Sequence, residues 1–305
     1  MKIVIVGPGA LGCLLASLLS KTRQEIWLFD KDPGRAARIN KSGIAVEGIT
    51  GKWRSSVKAA AESKEIGCAD LIIIAVKSYD TKAAIINARP LIGNNTKVLT
   101  LQNGIGNLET ITEVVGSDIV IGGATNLGAT LLEEARVRYA GKGETVIGRP
   151  DGKIPVEMRW IRETFDKAGL EIRFSRDIKG LLWSKLIINA GINALTAVTG
   201  LKNGRLIEIE GARRILRGAV TEATRIAKRK KIKLIYDDPL AKAEAVCEAT
   251  ANNISSMLQD VLKHKRTEID FINGVIVRFG QELNLAVPYN SMLLDLLKCI
   301  EAGYA

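Results

Sequence analysis

The sequence predicts an α/β domain built on a parallel sheet, followed by an all-helical domain. In the first half, short apolar runs typical of buried parallel strands alternate with helical patterns. Beyond Asp177 the strand signals stop, and the following segments show helical periodicity. The 305 residues suffice for two domains with a core each, and we place these domains at residues 1–176 and 177–305.

The chain opens with a strand, a glycine-rich turn, a helix and a second strand. The first strand, Lys2–Val6, leads into Gly7-Pro8-Gly9-Ala10-Leu11-Gly12, a helix follows at Cys13–Ser20, and the second strand, Glu25–Phe29, ends at Asp30. A G-x-G-x-x-G loop in this setting, followed by an acidic residue, is the dinucleotide-binding fingerprint. We therefore predict a Rossmann-type dinucleotide-binding domain.

Each glycine of this loop has a distinct predicted role. Gly7 permits the tight turn, Gly9 lets the backbone approach a pyrophosphate, and Gly12 lets the helix pack closely on the strand. The N–H groups at the start of the helix then face the phosphates. The predicted phosphate-binding residues are Gly7, Pro8, Gly9, Ala10, Leu11 and Gly12.

The same patterns place the remaining elements. The predicted α/β elements are a strand at Leu71–Val76, a helix at Thr81–Arg89, a strand at Val98–Leu101, a hairpin of Arg136–Ala140 and Glu144–Ile147, a helix at Val156–Ala168 and a strand at Glu171–Phe174. The predicted helices of the second domain are Leu181–Thr199, Ile209–Arg229, Pro239–Lys263, Glu268–Leu283 and Asn290–Glu301.

The helix at Leu181–Thr199 carries an unusual polar line. Lys185, Asn189 and Asn193 are four residues apart, so they drift by only about 40° per step and stack on one side of the helix. Nearly all their neighbours are apolar. The line is either the wet side of an amphipathic helix or the wall of a cavity that holds a polar ligand. Wet sides are usually wider and richer in charge, which favours the ligand interpretation.

Composition narrows the possible functions. The net charge of +11 raises the possibility of nucleic-acid binding, but the only dense basic run, Arg225 to Lys233, has no interleaved aromatic residues, so we expect no nucleic-acid partner. A positive field equally suits small anions. The four cysteines form no C-x-x-C pair, and the single histidine, His264, lies in a charged run, so neither a metal site nor histidine-based acid–base chemistry is expected.

We also expect no membrane association. No stretch resembles a membrane-spanning segment, and the first apolar run is interrupted at Gly7-Pro8-Gly9, too early for a signal peptide. The expected location is the cytoplasm. The helical half could support a homodimer.

The chain resembles the ketopantoate reductases (2-dehydropantoate 2-reductases) almost from end to end. The motifs that carry the resemblance are the Gly7–Gly12 loop, Val76-Lys77, Gln102-Asn103-Gly104, Trp183-Ser184-Lys185 with Asn189, Asn193 and Leu195-Thr196-Ala197, and the blocks 253–260 and 267–274. The resemblance implies an oxidoreductase that transfers hydride from NAD(P)H to the ketone of 2-dehydropantoate, giving pantoate in pantothenate and coenzyme A biosynthesis.

The resemblance also assigns roles to particular residues. Lys185 is implied as the general acid that polarises the ketone oxygen and supplies the proton. The substrate-binding residues that it implies are Asn103, Lys185, Asn189, Asn193, Asn203, Ser256 (for the carboxylate) and Glu268 (for the far hydroxyl). The further cofactor-binding positions that it implies are Lys77, Asn103, Gly128 and Glu268. The active site is expected in a cleft between the two domains.

Some of these residues also have ordinary structural interpretations. Lys77 is equally compatible with a solvated strand end, and Asn103 and Asn203 each precede a glycine, as turn residues do. Glu268 is also placed to pair with Lys265 or Arg266.

The cofactor form is left open by residues 30 and 31. The family often has an arginine here, which suits NADPH, whereas Asp30 favours a free ribose 2′-hydroxyl and therefore NADH. Lys31 could still hold a 2′-phosphate. Two other functions remain open, a dehydrogenase of another small 2-oxo or 3-hydroxy acid and a non-catalytic dinucleotide sensor, although a sensor has no use for the polar line.

Overall fold

The computed structural model describes residues 1–304, which form two compact units. The first unit contains residues 1–102 and 106–178, and the second contains Asn103–Ile105 and the chain from Lys179 onward. The main-chain N–H of Ile105 donates to the Phe271 carbonyl at 3.1 Å, which ties the short segment to the second unit.

The first unit is an α/β unit with two sheets. The strands of the main sheet are β1 (Lys2–Val6), β2 (Glu25–Phe29), β5 (Lys58–Ala60), β6 (Ala69–Ile74), β7 (Ile92–Thr100), β8 (Val120–Thr125), β11 (Thr145–Gly148) and β12 (Ile172–Phe174). The second sheet contains β3 (Ile44–Gly48), β4 (Trp53–Ser55), β9 (Gly128–Glu133) and β10 (Arg136–Gly141). The helices are α1 (Ala10–Leu19), α2 (Pro33–Ser42), α3 (Ser63–Ile66), α4 (Thr81–Ala88), α5 (Asn107–Val115) and α6 (Glu157–Lys167).

The order of the main sheet is β12-β11-β8-β7-β6-β1-β2-β5. All pairs from β8 to β5 are parallel, β11 is antiparallel to β8, and β12 is parallel to β11. Strands β1 and β6 lie near the centre of the sheet, and their side chains are buried and apolar on both faces. This is typical of parallel sheets, which are covered by helices on both sides. Their carboxyl ends carry the loops that begin at Gly7 and Ala75, where ligands of open parallel sheets bind.

The regular secondary structure in the described residues of the second unit consists of helices. Its helices are α7 (Ile178–Thr199, whose first residue counts with the first unit), α8 (Arg205–Glu208), α9 (Glu210–Arg229), α10 (Pro239–Ala249), α11 (Ser256–Val261), α12 (Asn273–Glu282) and α13 (Pro288–Ala302). Leu186, Ile187 and Ile192 of α7 pack in one core with Leu216 and Val220 of α9.

The α/β and helical classes are confirmed, but some predicted elements are wrong. The predicted hairpin does not form, because β10 pairs with β9 and β3 while β11 joins the main sheet. The predicted helix Pro239–Lys263 is interrupted after Ala249 and restarts at Ser256, where the Ser255 hydroxyl accepts the Leu258 N–H and caps the new helix. The predicted helix Glu268–Leu283 begins with a 3₁₀ turn at Ile269–Phe271 and becomes α-helical only at Asn273.

Within residues 1–304, one helix is long and apolar enough to cross a membrane by length and composition. This helix is α7, and 72% of its most apolar 18-residue window is buried inside the protein. Such burial is typical of a core helix.

Candidate active site

The glycine loop has the geometry that its spacing predicts. Gly7 has φ +101°, and a Cβ on Gly12 would lie 2.0 Å from the Gly7 carbonyl oxygen, so α1 packs tightly on the turn. The nearest atom to a Cβ on Gly9 would be 4.0 Å away. Gly9 precedes the first residue of α1, and no side chain at that position caps the helix. Open space and free N–H groups at a helix start fit the phosphates of a dinucleotide.

Asp30, directly after β2, is buried and paired with a cation that the sequence did not single out. Arg35 Nε lies 2.5 Å from Asp30 Oδ2, and the Asp30 side chain is 6% exposed. Burial raises the pKa of Asp30, and the Arg35 charge opposes this increase. Lys31 is largely exposed and lies 4.0 Å from Asp80. The sequence contains a feature that could have located Arg35, namely the helix-capping residue Asp32 followed by Pro33. The Asp32 side chain accepts the Arg35 N–H, which places Arg35 in the first turn of α2.

The ends of β6 and β7 are joined by buried polar side chains. Gln102 Nε2 donates to the Val76 carbonyl and to Thr81 Oγ1, both at 2.8 Å. Lys77 follows Val76 and is half-buried. Gly128, at the start of β9, faces the β10 backbone so closely that a Cβ would lie 2.8 Å from the Gly141 nitrogen.

Helix α7 presents its polar line through an otherwise buried surface. From Trp183 to Ala197 the side chains are buried, with the exceptions of Lys185 and Asn189. Asn193, one turn further, is 7% exposed. The predicted polar line is therefore three residues long and runs along a core helix. Its first two residues, Lys185 and Asn189, are partly accessible to solvent.

Lys185 and Glu268 interact electrostatically inside the second unit. Burial lowers the pKa of Lys185 to about 8, and the Glu268 carboxylate opposes that decrease. Glu268 is 6% exposed. Arg266, one of the predicted alternative partners of Glu268, lies 3.4 Å from Asp270. An ammonium with a pKa this close to neutrality can donate its proton and be recharged by solvent.

Ser255 connects the segment that carries Ser256 to the Asn193 end of the line. Ser255 is buried, and the Thr196 hydroxyl of α7 donates to Ser255 Oγ at 2.7 Å. Ser255 Oγ also lies 3.5 Å from the Asn193 carbonyl oxygen. The next residue, Ser256, is exposed and begins α11.

Asn203 is tied to the same stretch of chain. Its main-chain N–H donates to the Asn253 carbonyl at 3.0 Å and its Nδ2 donates to Thr250 Oγ1 at 2.9 Å. Within residues 1–304, its buried Oδ1 has no hydrogen-bond partner. Such an acceptor suits a ligand hydroxyl.

Asn103 lies in a short segment that packs against the segment containing Glu268. A Cβ on Gly104 would lie 2.5 Å from the Phe271 carbonyl oxygen, so the Asn103-Gly104 turn packs directly on the chain three residues after Glu268. In the second unit, the turn at Asn103 thus packs on the segment of Glu268, and Glu268 interacts with Lys185. The backbone of Asn193 and of Asn203 contacts the 250–256 stretch, which contains Ser256.

A buried polar network lies behind α7 and was not predicted. Asn273 Nδ2 donates to the Ala190 carbonyl and to Asn290 Oδ1, both at 3.0 Å. Asn290 Nδ2 in turn donates to Glu222 Oε2 at 2.7 Å. These residues are far apart in sequence, so no local pattern marks them.

Family models match both halves of the chain. The model described as "Ketopantoate reductase PanE/ApbA" matches residues 3–152, and the model described as "Ketopantoate reductase PanE/ApbA C terminal" matches residues 177–301. Among the described residues, no group of three or more His, Cys, Asp or Glu could hold a metal ion.

Individual relatives match over the full length. A 2-dehydropantoate 2-reductase of Pyrococcus horikoshii is 38% identical, covering 99% of this chain and 98% of its own. A PanE/ApbA family ketopantoate reductase structure from Ralstonia eutropha has a TM-score of 0.91 at 32% identity, covering 100% of this chain and 99% of its own. The structure of D-mandelate dehydrogenase with NADH and anilino(oxo)acetate has a TM-score of 0.93 at 26% identity, with the same coverage. Together with the two family models, these matches show that the chain belongs to the ketopantoate reductase family.

Proposed function

We propose that the chain reduces 2-dehydropantoate to pantoate, using a reduced nicotinamide dinucleotide. The observation that carries the proposal is the electrostatic interaction of Glu268 with Lys185, which lies on a core helix whose residues 183–197 are buried except for the half-buried Lys185 and Asn189. The full-length match to 2-dehydropantoate 2-reductases supports the choice of substrate. The reaction belongs to pantothenate and coenzyme A biosynthesis, and we propose a cytoplasmic enzyme.

In this proposal Lys185 is the proton donor. When bound, the reduced nicotinamide supplies the hydride that the ketone carbon accepts. The Lys185 ammonium donates a hydrogen bond to the ketone oxygen, stabilises the negative charge that develops there, and transfers its proton to complete the alcohol. Glu268 keeps the ammonium protonated at neutral pH by opposing the effect of burial.

The other polar residues of the second unit hold the substrate. Asn189 and Asn193 extend the line from Lys185 and offer neutral hydrogen-bonding groups, and Asn103 adds a third amide. Ser256 holds the carboxylate, Glu268 accepts the terminal hydroxyl, and the unpartnered Asn203 Oδ1 accepts a second substrate donor.

The first unit binds the dinucleotide. Residues Gly7 to Gly12 and the start of α1 hold the pyrophosphate, while Lys77 follows β6 and Gly128 begins β9 of the same unit. We propose that Asp30 makes NADH at least competitive with NADPH. The NADH in the D-mandelate dehydrogenase structure supports a nicotinamide cofactor of either form.

The direct test is cofactor oxidation with 2-dehydropantoate, using NADH and NADPH side by side. A site that hydrogen-bonds the terminal hydroxyl rejects an analogue without it, because its own polar group is left unpaired. We therefore expect 2-dehydropantoate to be reduced far faster than 2-oxoisovalerate, and the Glu268→Ala substitution to reduce this difference in kcat/KM. Equal kcat/KM for both acids in the unmodified protein would instead indicate a reductase of another 2-oxo acid.

A further inference from the structure

The segment that carries Glu268 is held by the C-terminal helix. The Thr267 main-chain N–H and hydroxyl both donate to the same oxygen, Glu301 Oε1, at 2.7 and 2.6 Å. Thr267 is 1% exposed and the Glu301 side chain 13% exposed, so solvent competes little for these bonds. Two short hydrogen bonds to one carboxylate are charge-assisted and directional.

A second contact from the same helix follows Glu268. Lys298 Nζ, one turn before Glu301 on α13, lies 2.7 Å from Asp270 Oδ2 and 3.6 Å from Glu301 Oε2. Glu268 therefore lies in the chain between Thr267 and Asp270, and both of these residues are bound by side chains of α13. Glu268 directly precedes the 3₁₀ turn Ile269–Phe271 and lies outside the α-helices, so these tertiary contacts add to the few local bonds that restrict its backbone.

We propose that Glu301 is a positioning residue for the reaction, holding Thr267 so that the Glu268 carboxylate stays beside Lys185. This inference rests on the proposed function, which gives Glu268 and Lys185 their roles. Glu301 touches neither substrate nor cofactor in this proposal. It acts through Thr267, and the effect on Glu268 can be measured as a change in the pKa of Lys185.

The test compares Glu301→Ala, which removes both bonds, with Glu301→Gln, which keeps an acceptor of the same shape. Asp295→Ala, an exposed acidic position on the same helix, is the matched control. We expect Glu301→Ala to lower kcat/KM for 2-dehydropantoate by about 10- to 100-fold, because small displacements of reacting groups have effects of this size. The Gln variant should recover most of this loss, and the control should behave like the unmodified protein.

The pH profile separates positioning from a merely structural role. If Glu268 moves away, it no longer opposes the burial of Lys185, so the pKa of Lys185 falls further below about 8 and the alkaline limb shifts to lower pH. The shift should be absent when Glu301→Ala is added to Glu268→Gln, since the charge has already gone. A Glu301→Ala protein with reduced thermal stability and activity but an unshifted alkaline limb would overturn the proposal.

The remaining outcomes are also decisive. If Glu301→Ala does not fold, Thr267→Val keeps the main-chain bond to Glu301 and removes the hydroxyl, which donates to Glu301 and accepts the Ile269 N–H at 3.3 Å. This variant should give a smaller shift in the same direction. If the unmodified protein does not reduce 2-dehydropantoate, the proposed function fails. The pH dependence of Lys185 acetylation, followed by mass spectrometry, then tests the positioning directly. An unchanged Lys185 pKa in Glu301→Ala would refute it.

Discussion

At the scale of single residues, the proposed chemistry depends on how the protein sets the pKa of Lys185. Two opposing effects act on Lys185, namely burial, which favours the neutral amine, and Glu268, which favours the ammonium. Burial is the larger effect, so the pKa of Lys185 lies at about 8 rather than at the ordinary lysine value of 10.5. At pH 7 the side chain is still mostly protonated and can act as an acid.

Removing this acid has a predictable effect. Lys185→Ala should lower kcat by a factor on the order of 10² to 10⁴, while the affinity for cofactor changes little. In the unmodified protein kcat should fall as the pH rises through about 8, because the ammonium loses its proton there. Lys185→Arg keeps the charge but does not deprotonate in this range, so its residual activity should lack that fall. Near-normal turnover in Lys185→Ala would refute the mechanism.

We expect single residues to decide the choice between NADH and NADPH as well, and the structure adds Arg35 to Asp30 and Lys31. Asp30→Ser removes a carboxylate and releases Arg35, which lies 2.5 Å away. We expect kcat/KM for NADPH to rise about 10-fold, the equivalent of one hydrogen bond to a charged group, and kcat/KM for NADH to fall. The double variant Asp30→Ser with Arg35→Ala should lose the gain if Arg35 binds the 2′-phosphate. A strong preference for NADPH in the unmodified protein would contradict the role given to Asp30.

At the scale of elements, the glycine loop combines two requirements that substitutions can separate. A Cβ at position 12 would lie 2.0 Å from backbone, whereas a Cβ at position 9 would have 4.0 Å of clearance. Gly12→Ala should therefore destabilise the cofactor-free protein by about 1–3 kcal/mol, as overpacking does. Gly9→Ala should leave the cofactor-free Tm nearly unchanged but raise the Kd for the dinucleotide about 10-fold or more by blocking the approach of phosphate.

Thermal melts with and without cofactor check both changes. Normal cofactor binding by Gly9→Ala would contradict the role given to Gly9, because it would mean that the backbone at Gly9 does not approach the phosphates. Gly12→Ala would contradict the packing argument if its cofactor-free Tm were unchanged.

The sequence predicted those elements whose patterns are long or wholly apolar. Helix α7 follows from its helical spacing, and strands β1 and β6 follow from their unbroken apolar runs, because each of these elements is buried on most sides. The small second sheet was missed because β9, for example, has partly buried residues on both faces and therefore no clear alternation. The break before α11 was also missed, although Asn252 and Asn253 are typical turn residues.

The predicted site residues lie within local motifs, whereas the residues that support them do not. Lys185, Asn189 and Asn193 share one helix, so spacing alone aligns them. Glu301 and Asn273 act on residues 34 and 83 positions away, and such contacts depend on tertiary packing rather than on local pattern.

At the scale of the whole molecule, the formal charge of +11 affects how anionic ligands reach the protein. Some of the basic residues make contacts within the protein. Lys230, for example, lies 3.7 Å from the centroid of the Phe279 ring and 4.0 Å from Glu282. Other members of the run 225–233, including Lys228, Arg229 and Lys233, are exposed. A net positive field raises the local concentration of anions such as 2-oxo acids and dinucleotides.

This field predicts a salt dependence that differs between binding and chemistry. Raising the ionic strength from about 0.01 to about 0.15 M shortens the screening length from about 30 to about 8 Å. KM for 2-dehydropantoate should therefore rise, whereas kcat should change little, because the buried Lys185 is screened far less than the surface. Reversing the exposed charges with Lys228→Glu, Arg229→Glu and Lys233→Glu should flatten the salt dependence of KM if the field of the whole molecule steers the substrate. An unchanged slope in this triple variant would show instead that charges close to the bound substrate account for the effect.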